Sequence, residues 1–126
     1  MIRTLQQTDL FDLRRIHERH YQDEFNFDEF ITNHMLCGFV VVSNNDRIIS
    51  AGVVRTIAEC AVVTDKDYSI IDRKEALMQI LQASMFTAGK FNYDELHAFV
   101  QDKKWEKRLK KSGFRDCAGK ALVLSL

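Results

Sequence analysis

Three side chains near the start of the chain have spacing that could hold a metal ion. His17, His20 and Glu24 lie at positions i, i+3 and i+7, which would align them along one face of a helix. Imidazole and carboxylate groups bind zinc, but a protein site needs a further ligand that this spacing does not supply. We therefore interpret the three residues as part of an exposed helix face and predict no metal site.

Two other groups of titratable residues offer different chemistry. His97 falls in an apolar segment, where an imidazole is either a titratable group of a site or a hydrogen-bonded interior residue. The lysines and arginine of 103–111 form a basic block around Trp105 and Leu109. This block is either the solvated face of a helix or a patch for an acidic partner. No nucleic-acid-binding motif accompanies it.

The composition limits the classes of protein that come into question. With 126 residues, 46% hydrophobic residues and a formal net charge of zero, the chain predicts a single domain over residues 1–126 that is drawn to neither nucleic acid nor membrane. It has no apolar run of about 18 residues and no signal peptide at its start, which indicates a cytoplasmic location. Cys37, Cys60 and Cys117 are too far apart for a CxxC site and odd in number, so they predict no disulfide framework.

The first half of the sequence indicates strands and helices around a sheet. Alternating residues at Ile2–Leu5 predict a strand, and apolar positions after Thr8 or Asp9 recur at helical spacing. A second helix is expected from Asn26 to about Met35, ending before Gly38. Three runs rich in β-branched residues follow, which short turns would make antiparallel: Phe39–Ser43, Ile48–Arg55 and Ala58–Thr64.

The second half predicts a crossover helix, a parallel strand and a last helix. Asp72 and Glu75 have the spacing of a capping box for a helix from Arg73 to Ala88, with Gly89 at its end. The remaining predicted elements are a parallel strand at Leu96–Val100, a helix at Lys103–Ser112 capped by Asp102, and a hairpin closed by Ala121–Leu126. The fold class is therefore α/β or α+β, with a mixed, mostly antiparallel sheet flanked by about four helices.

This order of elements resembles the GCN5-related N-acetyltransferase (GNAT) superfamily over essentially the whole chain. Two stretches carry the detailed likeness. The segment TDKDY at Thr64–Tyr68 is similar to the family's strand end before its phosphate loop, and Ala76 and Leu77 match the start of its third helix. The segment KKSGF at Lys110–Phe114 is similar to the end of its fourth helix. The resemblance implies acetyl-CoA as cofactor and an amine as acyl acceptor.

The resemblance also implies which residues would contact the cofactor, and here the sequence departs from the family. The implied positions are Val62, Val63, Ser69, Asp72 and Lys74. Family members have glycines in this loop, which let the backbone approach the CoA pyrophosphate at a helix N-terminus. This chain has none there, and Asp72 places a carboxylate where the anion would lie. The loop is thus a degenerate form of the acetyl-CoA loop.

The catalytic residues implied by the resemblance are also incomplete. Many family members have a tyrosine general acid four residues before the glycine that ends the fourth helix, and this position is Leu109 here. Glu59 is the candidate base that would deprotonate the amine, or else a solvent-facing residue of a sheet. Tyr68 is either a substitute acid or a residue that caps the turn.

Two functions follow as expectations. The first is an acyl-CoA-dependent N-acyltransferase with its amine substrate in the groove formed by the first helices. The second is a non-catalytic GNAT-like domain that has lost its cofactor and acts as a structural or interaction protein. Such a domain would bind a protein partner in an assembly, for example a phage particle, and would then be located in a virion.

Overall fold

The chain combines four α-helices with an antiparallel sheet and a separate parallel pair of strands, in a computed structural model that describes residues 1–32 and 34–126. This mixed α+β class is the one that the sequence predicts. In chain order the elements are β1 (Ile2–Thr4), a 3-10 turn (Gln7–Asp9), α1 (Leu10–His20), α2 (Phe27–Phe30), β2 (Met35–Val42), β3 (Ile48–Arg55), β4 (Ala58–Glu59), α3 (Ile70–Lys90), β5 (Leu96–His97) and α4 (Lys103–Lys111).

The antiparallel sheet has the strand order β1-β2-β3 and confirms the predicted hairpin. Strands β2 and β3 are joined at residues 43–47, where Asp46 adopts a positive φ of 57°, a conformation that aspartate tolerates in tight turns. Val40 is fully buried in the middle of β2. Since Gly38 lies inside β2, the prediction that it ends a helical region is wrong.

The helical region before β2 is shorter than the sequence indicates. Asn26 caps α2 as predicted, because its side chain accepts a hydrogen bond from the Asp28 N–H. The helix then covers only Phe27–Phe30 instead of continuing to Met35, which already belongs to β2. Asn33 lies outside the described residues.

The third predicted antiparallel strand is wrong in both length and pairing. Only Ala58–Glu59 of the expected Ala58–Thr64 forms a strand, and it pairs in parallel with β5. The parallel orientation predicted for the segment from Leu96 is confirmed, although β5 has only two residues. Among the described residues, no ladder joins β3 to β4, so the strands form two sheets rather than one.

The crossover helix α3 starts earlier and ends later than the capping box predicts. Ser69 is its N-cap, and Asp72 instead lies in its first turn. The helix runs through Gly89 to Lys90. The prediction of α4 is confirmed: Asp102 accepts a hydrogen bond from the Lys104 N–H, and the helix ends before Gly113, whose φ is 103°.

The core lies mainly between α3 and α4. Leu77, Leu81 and Leu109 form a buried cluster, against which Trp105 and Phe114 pack. Four further buried residues come from α1, α2 and β2: Leu13, Phe27, Val40 and Val42. With Ala88, these are the eight buried apolar residues of the described chain, which is a thin core. No helix in residues 1–32 and 34–126 combines the length and apolar character needed to cross a membrane.

The end of the chain does not form the predicted hairpin. No helix or strand follows α4 in residues 112–126, and the side chains of Ala121–Leu126 are all exposed. Val123, for example, is 97% exposed. The aliphatic residues of this segment have high β-propensity, but a strand forms only where a neighbouring edge accepts its hydrogen bonds. The prediction of a closing strand is therefore wrong.

Candidate functional site

The parallel pair of β4 and β5 carries Glu59, the predicted candidate base, and His97. Its register sets Ala58 opposite Leu96 and Glu59 opposite His97, and the Cys60 N–H then donates to the His97 carbonyl at 2.8 Å. The Cys60 thiol lies 3.4 Å from the Ser84 hydroxyl of α3, which ties the pair to the helix. The ladder ends at this point.

Glu59 extends from β4 beside a cavity of about 390 Å³ between the parallel pair and α3. Ile80, Thr87 and Phe91 line the same cavity. The Glu59 side chain is exposed, and in the described part of the chain it has neither a hydrogen bond nor an ion pair to orient it. A general base acts from a fixed position within hydrogen-bond reach of its proton. The structure therefore provides a carboxylate beside a cavity but no group that holds it there.

Tyr68 lies in the turn before α3 and is 63% exposed. Within residues 1–32 and 34–126, no hydrogen bond links its hydroxyl to Glu59 or to another side chain. It is also absent from the residues that line the Glu59 cavity. The two predicted catalytic residues are thus not brought together by any contact that the structure describes.

Three of the predicted cofactor positions, Ser69, Asp72 and Lys74, lie at the start of α3, and Val62 and Val63 precede the turn that leads into it. The Ser69 hydroxyl accepts a hydrogen bond from the Asp72 N–H at 3.1 Å, so this backbone donor of the first turn is already used. Ser69, Asp72 and Lys74 are exposed, Val62 is half-buried, and Val63 is 98% exposed. The predicted cofactor roles of these residues stay predictions.

The charges around this helix end are a poor match for a diphosphate. Asp65 and Asp67 precede the helix, joined by a hydrogen bond from the Asp67 N–H to the Asp65 carboxylate, and Asp72 follows in the first turn. An anion about 4 Å from one carboxylate is repelled by roughly 1 kcal/mol in water and roughly 4 kcal/mol at an effective dielectric of 20. Lys66 and Lys74 offset part of this repulsion. They do not replace the close backbone approach that glycine allows.

Leu109, which stands where the resemblance implies a general acid, is a core residue in this structure. Leu109 is 4% exposed and packs with Leu77 and Leu81 in the core between α4 and α3. It therefore stabilises the fold and has no proton to donate.

A cleft that the sequence did not predict lies beside the parallel pair. His34 stacks on Tyr93 with ring centroids 3.6 Å apart and an interplanar angle of 5°. The His34 Nε2 lies 2.9 Å from the Asn92 carbonyl, and the Tyr93 hydroxyl lies 2.8 Å from the Thr56 hydroxyl. These contacts join the end of β3 to the turn after α3. No local pattern could reveal a stack between residues so far apart in the sequence.

The cleft beside this stack has a volume of about 360 Å³ and is mainly acidic. Four carboxylates line it, from Asp28, Glu29, Asp94 and Glu95. Arg55 donates a hydrogen bond to the Glu29 carbonyl, and Arg115 forms an ion pair of 2.9 Å with Glu95. His97 also lines the cleft, and its buried Nδ1 has no partner among the described residues. Arg14 lies 3.3 Å from Asp28, so two of the four carboxylates are paired with arginines of this chain.

The histidines of α1 and the basic block of α4 have local partners. His17 Nε2 lies 2.6 Å from the Phe25 carbonyl, and residues 1–32 and 34–126 contain no group of three potential metal ligands. Lys110 lies 3.2 Å from both Asp116 and Glu106. Its hydrogen bond to Asp116, and to a smaller extent the one to Glu106, raise the pKa of the Lys110 ammonium group. Part of the basic block is therefore paired within the chain.

Comparisons with known proteins give no family assignment. No protein-family model matches the chain, and neither does any curated protein. A structure of the aminoglycoside N-acetyltransferase AAC(6')-Iy in complex with CoA is similar to this chain. The alignment covers 100% of this chain and 98% of the acetyltransferase chain. The identity is 9% and the TM-score 0.37. A likeness this distant carries no argument about the activity, substrate or cofactor of the chain.

Proposed function

We propose that the chain is a non-catalytic interaction domain with a GNAT-like order of elements, whose apolar surface is covered by a protein partner in an assembly. A phage particle would be one such assembly. The observation that carries this proposal is the area of the surface. The chain exposes 10833 Å², whereas a folded monomer of 14.7 kDa exposes roughly 6,900 Å².

The surplus of about 3,900 Å² can be compared with the area that a protein partner would cover. Stable protein interfaces bury roughly 1,200–2,000 Å² in total over both partners, and obligate ones roughly 2,000–5,000 Å². One partner contributes about half of these totals, roughly 1,000–2,500 Å² in an obligate complex, so the surplus of this one chain is larger than a single interface of that class requires.

The chemical nature of the surplus supports a protein partner. Ile71, Met85 and Phe86 of α3 are each more than 60% exposed, as are Leu122 and Leu124 near the end of the chain. Monomers rarely expose contiguous apolar patches above a few hundred Å², and larger patches mark interaction sites. A partner that buries these side chains would supply the stability that the thin core lacks.

The candidate site supports the same proposal, because it lacks the arrangement of groups that an acyltransferase would need. Glu59 and Tyr68 share no contact in the described chain, and Leu109 supplies no acid. The Ser69–Asp72 cap and the neighbouring carboxylates disfavour a CoA diphosphate. An enzyme would need these groups to hold and protonate a substrate in fixed geometry.

An acyl-CoA-dependent N-acyltransferase is the second candidate, and the acidic cleft is the observation that favours it. Asp28 and Glu29 belong to α2, so the cleft adjoins the first helices, and its carboxylates would attract a protonated amine. It also reaches Ala58 and His97, the neighbour and the register partner of Glu59. In this candidate Glu59 would deprotonate the amine, directly or through water.

Titration with acetyl-CoA separates the two candidates. We expect the melting temperature of the purified chain to stay unchanged at millimolar acetyl-CoA, because an interaction domain has no affinity for this ligand. A rise of several degrees would overturn the proposal in favour of the acyltransferase.

A further inference from the structure

The long helix α3 carries an apolar stripe that the fold leaves uncovered. Its buried face consists of Leu77, Leu81 and Ala88. Ile71, Met78 and Met85 recur every seven residues on a flank about 80° away from that face, at 77%, 48% and 64% exposure. We call these three residues the α3 stripe. It extends over about 21 Å of the helix, since each residue adds about 1.5 Å.

The α3 stripe is self-complementary about Met78. When a second α3 lies antiparallel across it, a two-fold axis at Met78 sets Ile71 of each copy opposite Met85 of the other. Residues seven positions apart return to nearly the same side of a helix, so all three side chains can reach one partner helix. A two-fold interface uses the same patch on both subunits, which is what this arrangement provides.

The polar residues beside the stripe permit this pairing. Glu75 and Gln82 flank it on one side, and the antiparallel arrangement places Glu75 of each copy near Gln82 of the other, where the amide can donate to the carboxylate. No carboxylate then faces a carboxylate across the axis. The formal net charge of zero also means that two copies do not repel each other over long distances.

We infer that the partner covering the α3 stripe is a second copy of this chain, bound antiparallel about Met78. The inference rests on the proposed function, because it identifies the partner of that surface. A dimer of ordinary interface size removes roughly 800 Å² from each copy, well within the surplus of about 3,900 Å². The remainder leaves room for further contacts in a larger assembly.

Sedimentation equilibrium at micromolar concentration tests the inference on the full chain. The expected mass is twice the 14.7 kDa of one chain. Met78→Asp should lower the association constant at least 100-fold, since it places two carboxylates at the axis. Ala76→Asp is the matched control, because Ala76 is exposed on the opposite side of the same helix and the substitution adds the same charge there, so the association constant should change less than threefold. Circular dichroism checks that both variants are folded.

Cross-linking gives a second readout that does not require a destabilising charge. In a Cys117→Ser background, Met78→Cys should form a disulfide-linked dimer on mild oxidation, whereas Ala76→Cys should not. A monomeric wild-type chain, or a dimer that ignores Met78→Asp and forms no Met78→Cys cross-link, would overturn the inference. Those results leave the proposed function standing with a different partner, while binding of acetyl-CoA would overturn the proposed function whatever the mass.

Discussion

The Ser69 hydroxyl accepts a hydrogen bond from the Asp72 N–H at 3.1 Å and thereby fixes where α3 begins. This cap places the Asp72 carboxylate in the first turn, where the helix dipole stabilises a negative charge. The cap therefore occupies the Asp72 N–H and places a carboxylate at the helix end where a phosphate would bind. At this position the fold is stabilised and anion binding is disfavoured by one pair of residues.

Removing this cap should weaken the fold measurably. Ser69→Ala leaves the Asp72 N–H without its acceptor, and we expect the free energy of unfolding to fall by about 1 kcal/mol in a denaturant titration. Ser50→Ala is the control, because Ser50 is an exposed residue of β3 whose hydroxyl has no hydrogen bond in the described chain. Equal stability of the two variants would show that the cap contributes nothing.

The ion pair of Arg3 and Asp9 should make stability depend on acidic pH. Two hydrogen bonds of 2.7 Å from Arg3, and one from the Gln6 N–H, lower the pKa of buried Asp9 from 3.8 to about 2. Its contribution is complete above about pH 4 and is lost as the pH falls through about 2. Asp9→Asn should therefore cost on the order of 2 kcal/mol at pH 7 and much less near pH 2.

The control for this prediction is Asp12→Asn, which changes an exposed carboxylate on α1. Urea titrations of both variants across pH 2–7 provide the measurement. A cost of Asp9→Asn that is the same at pH 2 and pH 7 would contradict the role of the ion pair.

Gly38 and Gly52 lie in adjacent strands and should respond differently to alanine. A β-carbon at Gly38 would lie 2.8 Å from Leu5 Cδ2 and 2.9 Å from Leu5 Cβ, whereas one at Gly52 would meet no atom within 4 Å. Leu5 cannot easily move away, because its N–H donates to the Gly38 carbonyl. We expect Gly38→Ala to cost roughly 1–3 kcal/mol and Gly52→Ala less than about 0.5 kcal/mol.

Thermal unfolding of the two glycine variants, compared with wild type, checks this prediction. If Gly38→Ala is as stable as Gly52→Ala, the close approach of Leu5 to β2 does not constrain the fold.

The parts of the fold that the sequence predicts correctly are those with local signals. The residues Asn44–Arg47 mark the turn between β2 and β3, and Asp102 with Gly113 bounds α4. The predicted start of α3 at Arg73 is wrong because Asp72 with Glu75 and Ser69 with Asp72 both have the spacing of a cap. Only the backbone geometry decides between them.

The parts that the sequence fails to predict depend on distant partners. Ala61–Thr64 and Ala121–Leu126 have high β-propensity, but neither segment meets a strand edge in the described chain. The stack of His34 on Tyr93 is likewise a product of the tertiary fold. The sequence correctly predicts that Glu59 lies on a strand and Tyr68 in the turn before α3. It does not predict that the two side chains make no contact in the described chain.

Asp72 offers the most sensitive control for the acetyl-CoA experiment. If the loop bound a diphosphate weakly, Asp72→Gly would remove the repelling carboxylate and allow closer backbone approach, so its melting temperature would rise more with acetyl-CoA than that of wild type. Lys74→Ala would abolish the same rise. We expect neither variant to differ from wild type in its response, because the chain is proposed not to bind this ligand.

The central claim is tested most directly by the melting temperature of the wild-type chain with millimolar acetyl-CoA. A ligand present at about 100 times its dissociation constant would add roughly 2.7 kcal/mol of stability, which corresponds to a shift of several degrees. If the chain is an interaction domain, its melting temperature stays unchanged within the scatter of repeated scans. A reproducible rise of several degrees that grows with acetyl-CoA concentration would contradict the account.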